Sequence, residues 1–397
     1  MTADPLLDRP AGAAARAARH TVVHVSAHYP PYLGGLEKVA QALALFRREA
    51  GLPVQVVTSD DGPSPRPSSP AQPSGLPQAP DDEDRYVRRL RSREVLHTAV
   101  MPGLHRALRR TPRPALLHLH VAQAYVPEVA WAVCRRERLP YVVHLHLDVG
   151  PSGPAGGLLK VYKPLVLARV LRDAAAVVVF TAEQREAVVD RYRLDPARVV
   201  VIPNGVGREY FLDRPRTLPD RPTVLFVGRL AVQKNLPLLL DALDGAGDRF
   251  DTVLVGDGDL GAALRARVRE LGLRGVRFHG RADGEELRDL YRAADVFVLP
   301  SEREGMPLVL LEALAMGLPV VATDIPGTRD VVHDGRNGRL VPLGDPAALR
   351  QALLDVTGDP ATYAALAASA RDLAAQYSWT VVGDRFEQLY ATVLAER

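Results

Sequence analysis

The chain has 397 residues, with 50 Lys+Arg against 47 Asp+Glu and a formal net charge of +3. That length predicts two or three domains at about 100–200 residues each, and 47% apolar with 24% charged residues excludes a mostly disordered chain. Only Lys38, Lys160, Lys163 and Lys234 are lysines, so the pI of 9.0 reflects an arginine bias mixed with acid along the chain and gives no support to a nucleic-acid partner.

In chain order, residues 1–19 carry charges where a signal peptide has its apolar core, and read as a flexible N-terminal extension. Short β-branched runs then alternate with longer stretches of helical period, the pattern of βαβ units and parallel sheets. Strands are predicted in the first half at 21–26, 54–58, 115–120, 141–146, 176–180 and 199–202. Residues 61–84 are dense in Pro and Ser with an acidic end, which predicts a disordered surface loop inside the first domain. The Arg-rich stretch 85–113 reads first as a solvated helix face, and second as an anionic membrane or acceptor surface. Residues 203–220, rich in Pro, Gly and charge, suggest a hinge. The second half has strand candidates at 223–227, 252–255, 276–279, 296–299, 319–322 and 340–341. The fold class expected is α/β, with two Rossmann-like doubly wound domains. The single Cys134 rules out an intrachain disulfide and a Cys-based zinc cluster, and fits a cytoplasmic setting. The longest apolar run, 174–180, is far short of the roughly 20 residues of a membrane span.

Three segments carry candidate chemistry. In 301–320, SEREGMPLVLLEALAMGLPV, a strand ends at Pro300, Pro307 suits the first helical position, and Gly317 suits the position just past the helix end. The helix N-terminus then faces the carboxyl edge of a parallel sheet, where open α/β folds bind ligands. Glu304 stands at that mouth and Glu312 lies eight residues on. An ideal helix would put them about 12 Å apart, too far for paired-carboxylate hydrolysis and suited to gripping two ends of one ligand. In 223–235, TVLFVGRLAVQKN, a buried strand leads to Gly228, then to Arg229 and Lys234 before a helix capped by Asn235. A planar guanidinium and a compact ammonium at one strand end suit a diphosphate. Near the N-terminus, Gly34–Gly35 opens an amphipathic helix without the rest of a P-loop, and is open between a phosphate cradle and a simple turn.

His118 and His120 alternate on one strand, and His144 and His146 on another, so each pair shares a face. Four imidazoles without a carboxylate make a poor catalytic zinc set, and no metal site is expected. His120 and His146 are expected to reach the ligand side, with Asp148 beside them, while His118 and His144 pack nearer the sheet. Residues 256–261, GDGDLG, match the dinucleotide fingerprint, but the next strand ends in His279–Gly280–Arg281 without an acid. An NAD(P)-dependent oxidoreductase using this segment is the alternative function, and a non-catalytic sugar-nucleotide binding protein is a third.

Taken in order, Gly34-Gly35-Leu36-Glu37, residues 140–146, Asn204-Gly205-Val206, Val227-Gly228-Arg229-Leu230 with Lys234, Gly256-Asp257-Gly258, and residues 304–312 resemble glycosyltransferase family 4, retaining enzymes of the GT-B fold. The family's E-x7-E pattern is matched by EGMPLVLLE, with Met306 where Phe is commoner. The resemblance implies a metal-independent, retaining hexosyltransferase that needs no cofactor beyond a nucleotide-diphosphate sugar as co-substrate. It implies two domains around a cleft: an acceptor-side domain over 20–203, a nucleotide-sugar domain over 204–378, and a helix over 379–397 that returns to the first domain. Arg229 and Lys234 would hold the diphosphate and Glu312 the ribose. Glu304, with Gly305, Met306, Pro307 and Leu308, would hold the donor sugar. Gly34, Gly35 and Gly228 would approach the phosphates, and Gly256 and Gly258 would turn near the base. His146 matches the family histidine beside the reacting centre, while His120 and Asp148 are acceptor-side candidates. The acceptor is left as a natural product, a cyclitol or a lipid-linked glycan. Peripheral contact of 85–113 with the inner membrane face stays an alternative, and the oligomeric state is not readable.

Overall fold

In the computed structural model, the described residues are 5–7, 18–31, 34–60, 83–95, 98–146, 163–212 and 214–395. The chain divides into two compact units. One combines the residues up to Pro203 with those from Trp379 onward; the other is Asn204–Ser378. Most of the expected extension at 1–19, nearly all of the 61–84 loop, and Asp148 lie outside the described residues. Where the extension is described it is not loose: Pro5–Leu7 forms a 3-10 turn that buries Leu6, an apolar side chain, against the C-terminal helix Trp379–Ala395.

The first unit contains β1 Thr21–Val25, α1 Gly35–Glu49, β2 Val54–Ser59, β3 Val87–Leu90, β4 Arg93–Val95, β5 Thr98–Val100, α2 Leu104–Arg109, β6 Ala115–Val121, α3 Val126–Glu137, β7 Tyr141–Leu145, α4 Ala168–Arg172, β8 Ala176–Val179, α5 Ala182–Tyr192 and β9 Val199–Val201. Its main sheet is parallel, in the order β3-β2-β1-β6-β7-β8-β9. Strands covered on both faces read as near-continuous apolar runs; β6 (ALLHLHV) is buried at all seven positions, its two histidines included. The 85–113 stretch departs from the expected helix face. It holds edge strand β3, the β4–β5 hairpin and only a short helix. Val87 and Leu90 anchor β3 in the core, while Arg89 bonds Glu83 and the Pro30 carbonyl, so charge marks a sheet edge here.

The second unit contains β10 Thr223–Val227, α6 Leu236–Leu243, β11 Asp251–Val255, α7 Gly261–Glu270, β12 Val276–Gly280, α8 Gly284–Ala293, β13 Val296–Leu299, α9 Leu308–Ala315, β14 Val320–Thr323, β15 Gly338–Val341, α10 Pro346–Thr357 and α11 Pro360–Ala374. Its sheet is parallel, in the order β12-β11-β10-β13-β14-β15. Both sheets thus run outward in two directions from a central pair, β1/β6 and β10/β13. A doubly wound sheet opens a crevice beyond the carboxyl ends of such a pair, because the two connections leave on opposite sides.

The segment suggested as a hinge is fastened to the second unit. Val206 N–H donates to the Tyr377 carbonyl at 2.8 Å and Leu212 N–H to that of Ala315 at 3.2 Å. Arg216 donates to the carbonyls of Met316 (2.8 Å), Tyr291 (2.8 Å) and Ala294. One guanidinium thereby satisfies the last carbonyls of α8 and α9, where a cation also opposes the helix dipole. Burial lowers its pKa, though not enough to discharge an arginine.

Candidate active site

The switch point of the second unit gathers three strand-end loops. After β10, Gly228 N–H donates to the Val255 carbonyl and Leu230 N–H to that of Asp257, both at 3.0 Å, so the loops after β10 and β11 lie backbone to backbone. That contact is what the glycines allow. Gly256 has φ +132°, and a Cβ on it would sit 1.9 Å from the Gly228 carbonyl oxygen; one on Gly258 would sit 2.4 Å from that of Leu230. The GDGDLG pattern is therefore accounted for by the packing of one loop on another, without a dinucleotide. At the tip of β12, Arg281 approaches Asp257 at 3.9 Å, both exposed.

The loop after β10 is also tied to the loop after β13. Gln233 donates to the Arg303 carbonyl at 2.6 Å and accepts from Glu302 N–H at 2.9 Å. Lys234 Nζ donates to Glu304 Oε1 at 2.6 Å, with the carboxylate side chain 8% and the lysine 17% exposed. Two charges expected to face a ligand thus hold each other. Arg229 is exposed and makes no ion pair among the described residues. Asn235 is not the expected side-chain cap. It takes a left-handed conformation (φ 46°, ψ 44°) without a capping bond and ends the turn Val232–Lys234.

The loop before α9 is supported from below. Gly305 lies against Gly327, whose added Cβ would meet the Gly305 oxygen at 2.1 Å. Met306 is buried, and its carbonyl accepts from Asn204 Nδ2 at 2.7 Å. Pro307 is extended (φ −72°, ψ 125°) and precedes the helix instead of starting it. Glu304 consequently lies outside α9, and the helical 12 Å spacing to Glu312 does not apply. As at any helix start, the first N–H groups of α9 lack intrahelical acceptors, and Pro307 offers no side-chain cap for them. Glu312, the fifth residue of α9, is 5% exposed and accepts from Tyr291 Oη at 2.9 Å, with the Tyr210 hydroxyl a further partner. Burial, then the Glu312 charge, raises both phenol pKa values, so the hydroxyls remain donors at neutral pH. Tyr210 and Tyr291 carry no motif, and their role was not legible.

In the first unit, Gly34 is extended at the N-terminus of α1. The Glu37 carboxylate folds back over it, 2.1 Å from where a Cβ would sit. The histidines gather as expected from their alternation, with a fifth, His24 on β1, that was not singled out. His24 pairs in register with His118, and His120 with His144. Contrary to expectation His120 is buried, 2% exposed, because it lies mid-sheet between His24 Nδ1 and His146 Nε2, each 3.0 Å away. His146 is half-buried. His118 Nδ1 lies 2.6 Å from Tyr390 Oη of the C-terminal helix, and Phe386 packs on His118 and His144. Burial pushes the His120 pKa down to about 3 and those of the other four well below the usual histidine value, so all five are neutral at pH 7.

Consecutive parts of the chain match two families: residues 33–210 match Glycosyltransferase Family 4, and residues 221–359 match Glycosyl transferases group 1. A phosphatidyl-myo-inositol mannosyltransferase of Mycobacterium leprae is 30% identical over 91% of this chain and 93% of its own. A D-inositol 3-phosphate glycosyltransferase of Frankia alni is 36% identical over 64% of this chain and 68% of its own. Among solved structures, Anabaena HepE in complex with UDP-glucose superposes with a TM-score of 0.73 at 19% identity, covering 95% of this chain and 100% of that one. Two doubly wound units of this kind make up the GT-B fold. The chain belongs to glycosyltransferase family 4, and its activity is sugar transfer. The oxidoreductase alternative is set aside. Among the described residues no helix is long and apolar enough to cross a membrane.

Proposed function

We propose that the protein transfers a hexose from a nucleotide-diphosphate sugar to a hydroxyl of an inositol-type cyclitol, free or lipid-linked, with retention and without a metal. The observation that carries the donor assignment is the placement of Arg229 and Lys234 in the loop at the carboxyl end of β10, a central strand of the second unit, with Lys234 tied to Glu304 in the loop that leads to α9. The UDP-glucose held by HepE supports the same donor class. Arg229 and Lys234 neutralise the diphosphate, and the α9 N-terminus adds its dipole. Glu312, steadied by two tyrosines, accepts from ribose hydroxyls. Glu304, once Lys234 turns to phosphate, accepts from the sugar. Gly34, Gly35 and His146 keep the roles that the family resemblance gives them.

The reaction breaks the anomeric carbon–phosphate oxygen bond through an oxocarbenium-like state, with charge building on the departing phosphate. Two cations aimed at that oxygen stabilise it where the charge develops. The acceptor oxygen attacks from the face the phosphate leaves, and its proton passes to the phosphate, so neither glutamate serves as base. The inositol acceptors named for the two relatives motivate the acceptor class. The test is the product formed from α-configured UDP-glucose or GDP-mannose and myo-inositol or phosphatidylinositol in EDTA. An α-linked product is expected; a β-linked product, or transfer only after metal is restored, contradicts the proposal.

A further inference from the structure

The buried histidines of the first unit form more than a packed layer. His24 Nδ1 is 3.0 Å from His120 Nε2, and His120 Nδ1 is 3.0 Å from His146 Nε2. Three imidazoles on β1, on β6 and just past the end of β7 therefore make one hydrogen-bonded chain that ends at the half-buried His146. A neutral imidazole has one N–H and one bare nitrogen, so the chain has two possible directions. Either protons sit on Nδ1 of His24 and His120 and donate outward, or they sit on Nε2 of His120 and His146 and donate inward.

The inner end decides between them. His24 Nε2 is buried and has no hydrogen-bond partner among the described residues. In the inward direction it would carry a buried, unbonded N–H; in the outward direction it is a bare lone pair. Orphaned buried N–H groups are rare, while under-satisfied acceptors are tolerated. Arg47, fixed by Glu387 at 2.6 Å, lies near enough to disfavour further positive charge on His24. Among the described residues His118 follows the same rule, its Nε2 buried and unpartnered and its Nδ1 facing Tyr390, whereas His144, with both ring nitrogens buried and unpartnered, does not.

We propose that His24 and His120 are positioning residues that lock His146 in its Nδ1–H tautomer, with Nε2 engaged as acceptor. Free imidazoles in water favour the opposite tautomer. His146 then presents a hydrogen-bond donor, not a base, to whatever lies at its Nδ1 edge. That catalytic meaning rests on the proposed function, whereas the tautomer does not. Metal capture is the competing use of the cluster, since His24, His118 and His120 have ring nitrogens within 4.8 Å of one another. It is disfavoured because Phe386 and Tyr390 pack against His118, and the fixed charge that acts on His24 is the cation Arg47. A buried dication without an anion is costly.

The test is long-range proton–nitrogen correlation NMR on the full chain labelled with 15N-histidine, His146 being assigned with His146→Gln. The Nδ1–H tautomer is expected for His146 in the wild-type protein. His120→Phe removes the donor, and with one hydrogen bond worth about 1.4 kcal/mol the tautomer ratio should shift about tenfold toward Nε2–H. His120→Gln, whose amide can donate to Nε2, should restore it. An Nε2–H proton on His146 in the wild type overturns the proposal, which keeps it testable even if the variants fail to fold. So does an unchanged ratio in His120→Phe, or Zn2+ shifting the His24, His118 and His120 nitrogens at one equivalent. Where sugar transfer is measured, His120→Phe should lower kcat about tenfold with donor KM unchanged. If no transfer is found and the tautomer is as stated, the functional proposal fails and this one stands.

Discussion

Replacing Glu304 with Gln separates the two duties of the Lys234–Glu304 pair. Lys234 holds a carboxylate at 2.6 Å, in a site where both side chains are less than one-fifth exposed, and reaches a diphosphate only by giving that carboxylate up. At an effective dielectric of about 20, that attraction is about 6 kcal/mol. Set against solvation and the partner's own hydration, a hydrogen bond between charged groups retains about 1.5–3 kcal/mol. Glu304→Gln removes this competitor and leaves the lysine charge in search of an anion. A nucleoside diphosphate, which lacks the transferred hexose that Glu304 would contact, should therefore bind the variant at least about tenfold more tightly, since 1.4 kcal/mol is tenfold. Transfer should fall at the same time, because the sugar loses its carboxylate. The assay is calorimetric titration of UDP and GDP into both proteins at one ionic strength. Unchanged or weaker affinity of the variant for both nucleotides would refute the reasoning that Lys234 is held in reserve by Glu304.

Gly256→Ala combines a backbone conformation reserved for glycine with a Cβ 1.9 Å from the Gly228 oxygen. It should cost about 3 kcal/mol or more in urea unfolding with no ligand present; a loss under about 1 kcal/mol would show that the glycine is there for something other than loop packing. Acid should destabilise the first unit. A histidine with a folded pKa lowered below its unfolded value contributes fully above pH 6.5, and the contribution is lost as the pH falls toward the folded pKa, about 3 for His120. Each such group costs about 1.4 kcal/mol per pH unit in that window. The urea midpoint should therefore fall steeply between pH 7 and pH 5, and an unchanged midpoint would mean that the cluster is already protonated or open to water.

Where function and fold coincide with a strong local pattern, the chain was readable. All twelve strand candidates appear, with ends shifted by no more than two residues, because strands buried on both faces must be written as apolar runs. Strand β3 was missed because VRRL at a sheet edge needs only Val87 and Leu90 inward, and arginine on the other positions hides the pattern. The helix over 308–315 was legible, but its start was not: Pro307 suits both the first helical residue and the residue before it. Partners brought together by topology were out of reach. Tyr291 is 21 residues from Glu312, and His24 is 96 from His120; neither pairing has a local signal. Lys234 was legible as a cation at a strand end beside Arg229, and its contact with Glu304, 70 residues away, came only with the fold.

The central claim, that the second unit binds a nucleotide-diphosphate sugar through Arg229 and Lys234, is tested most directly by thermal unfolding of the full chain against a panel of sugar nucleotides, with NAD and NADP alongside. At least one sugar nucleotide should raise Tm in the wild-type protein, by an amount that grows with ligand concentration. The shift should vanish in Arg229→Ala and in Lys234→Ala while both variants keep the wild-type circular dichroism. Stabilisation by no sugar nucleotide, or a shift that persists undiminished in both variants, would contradict the account.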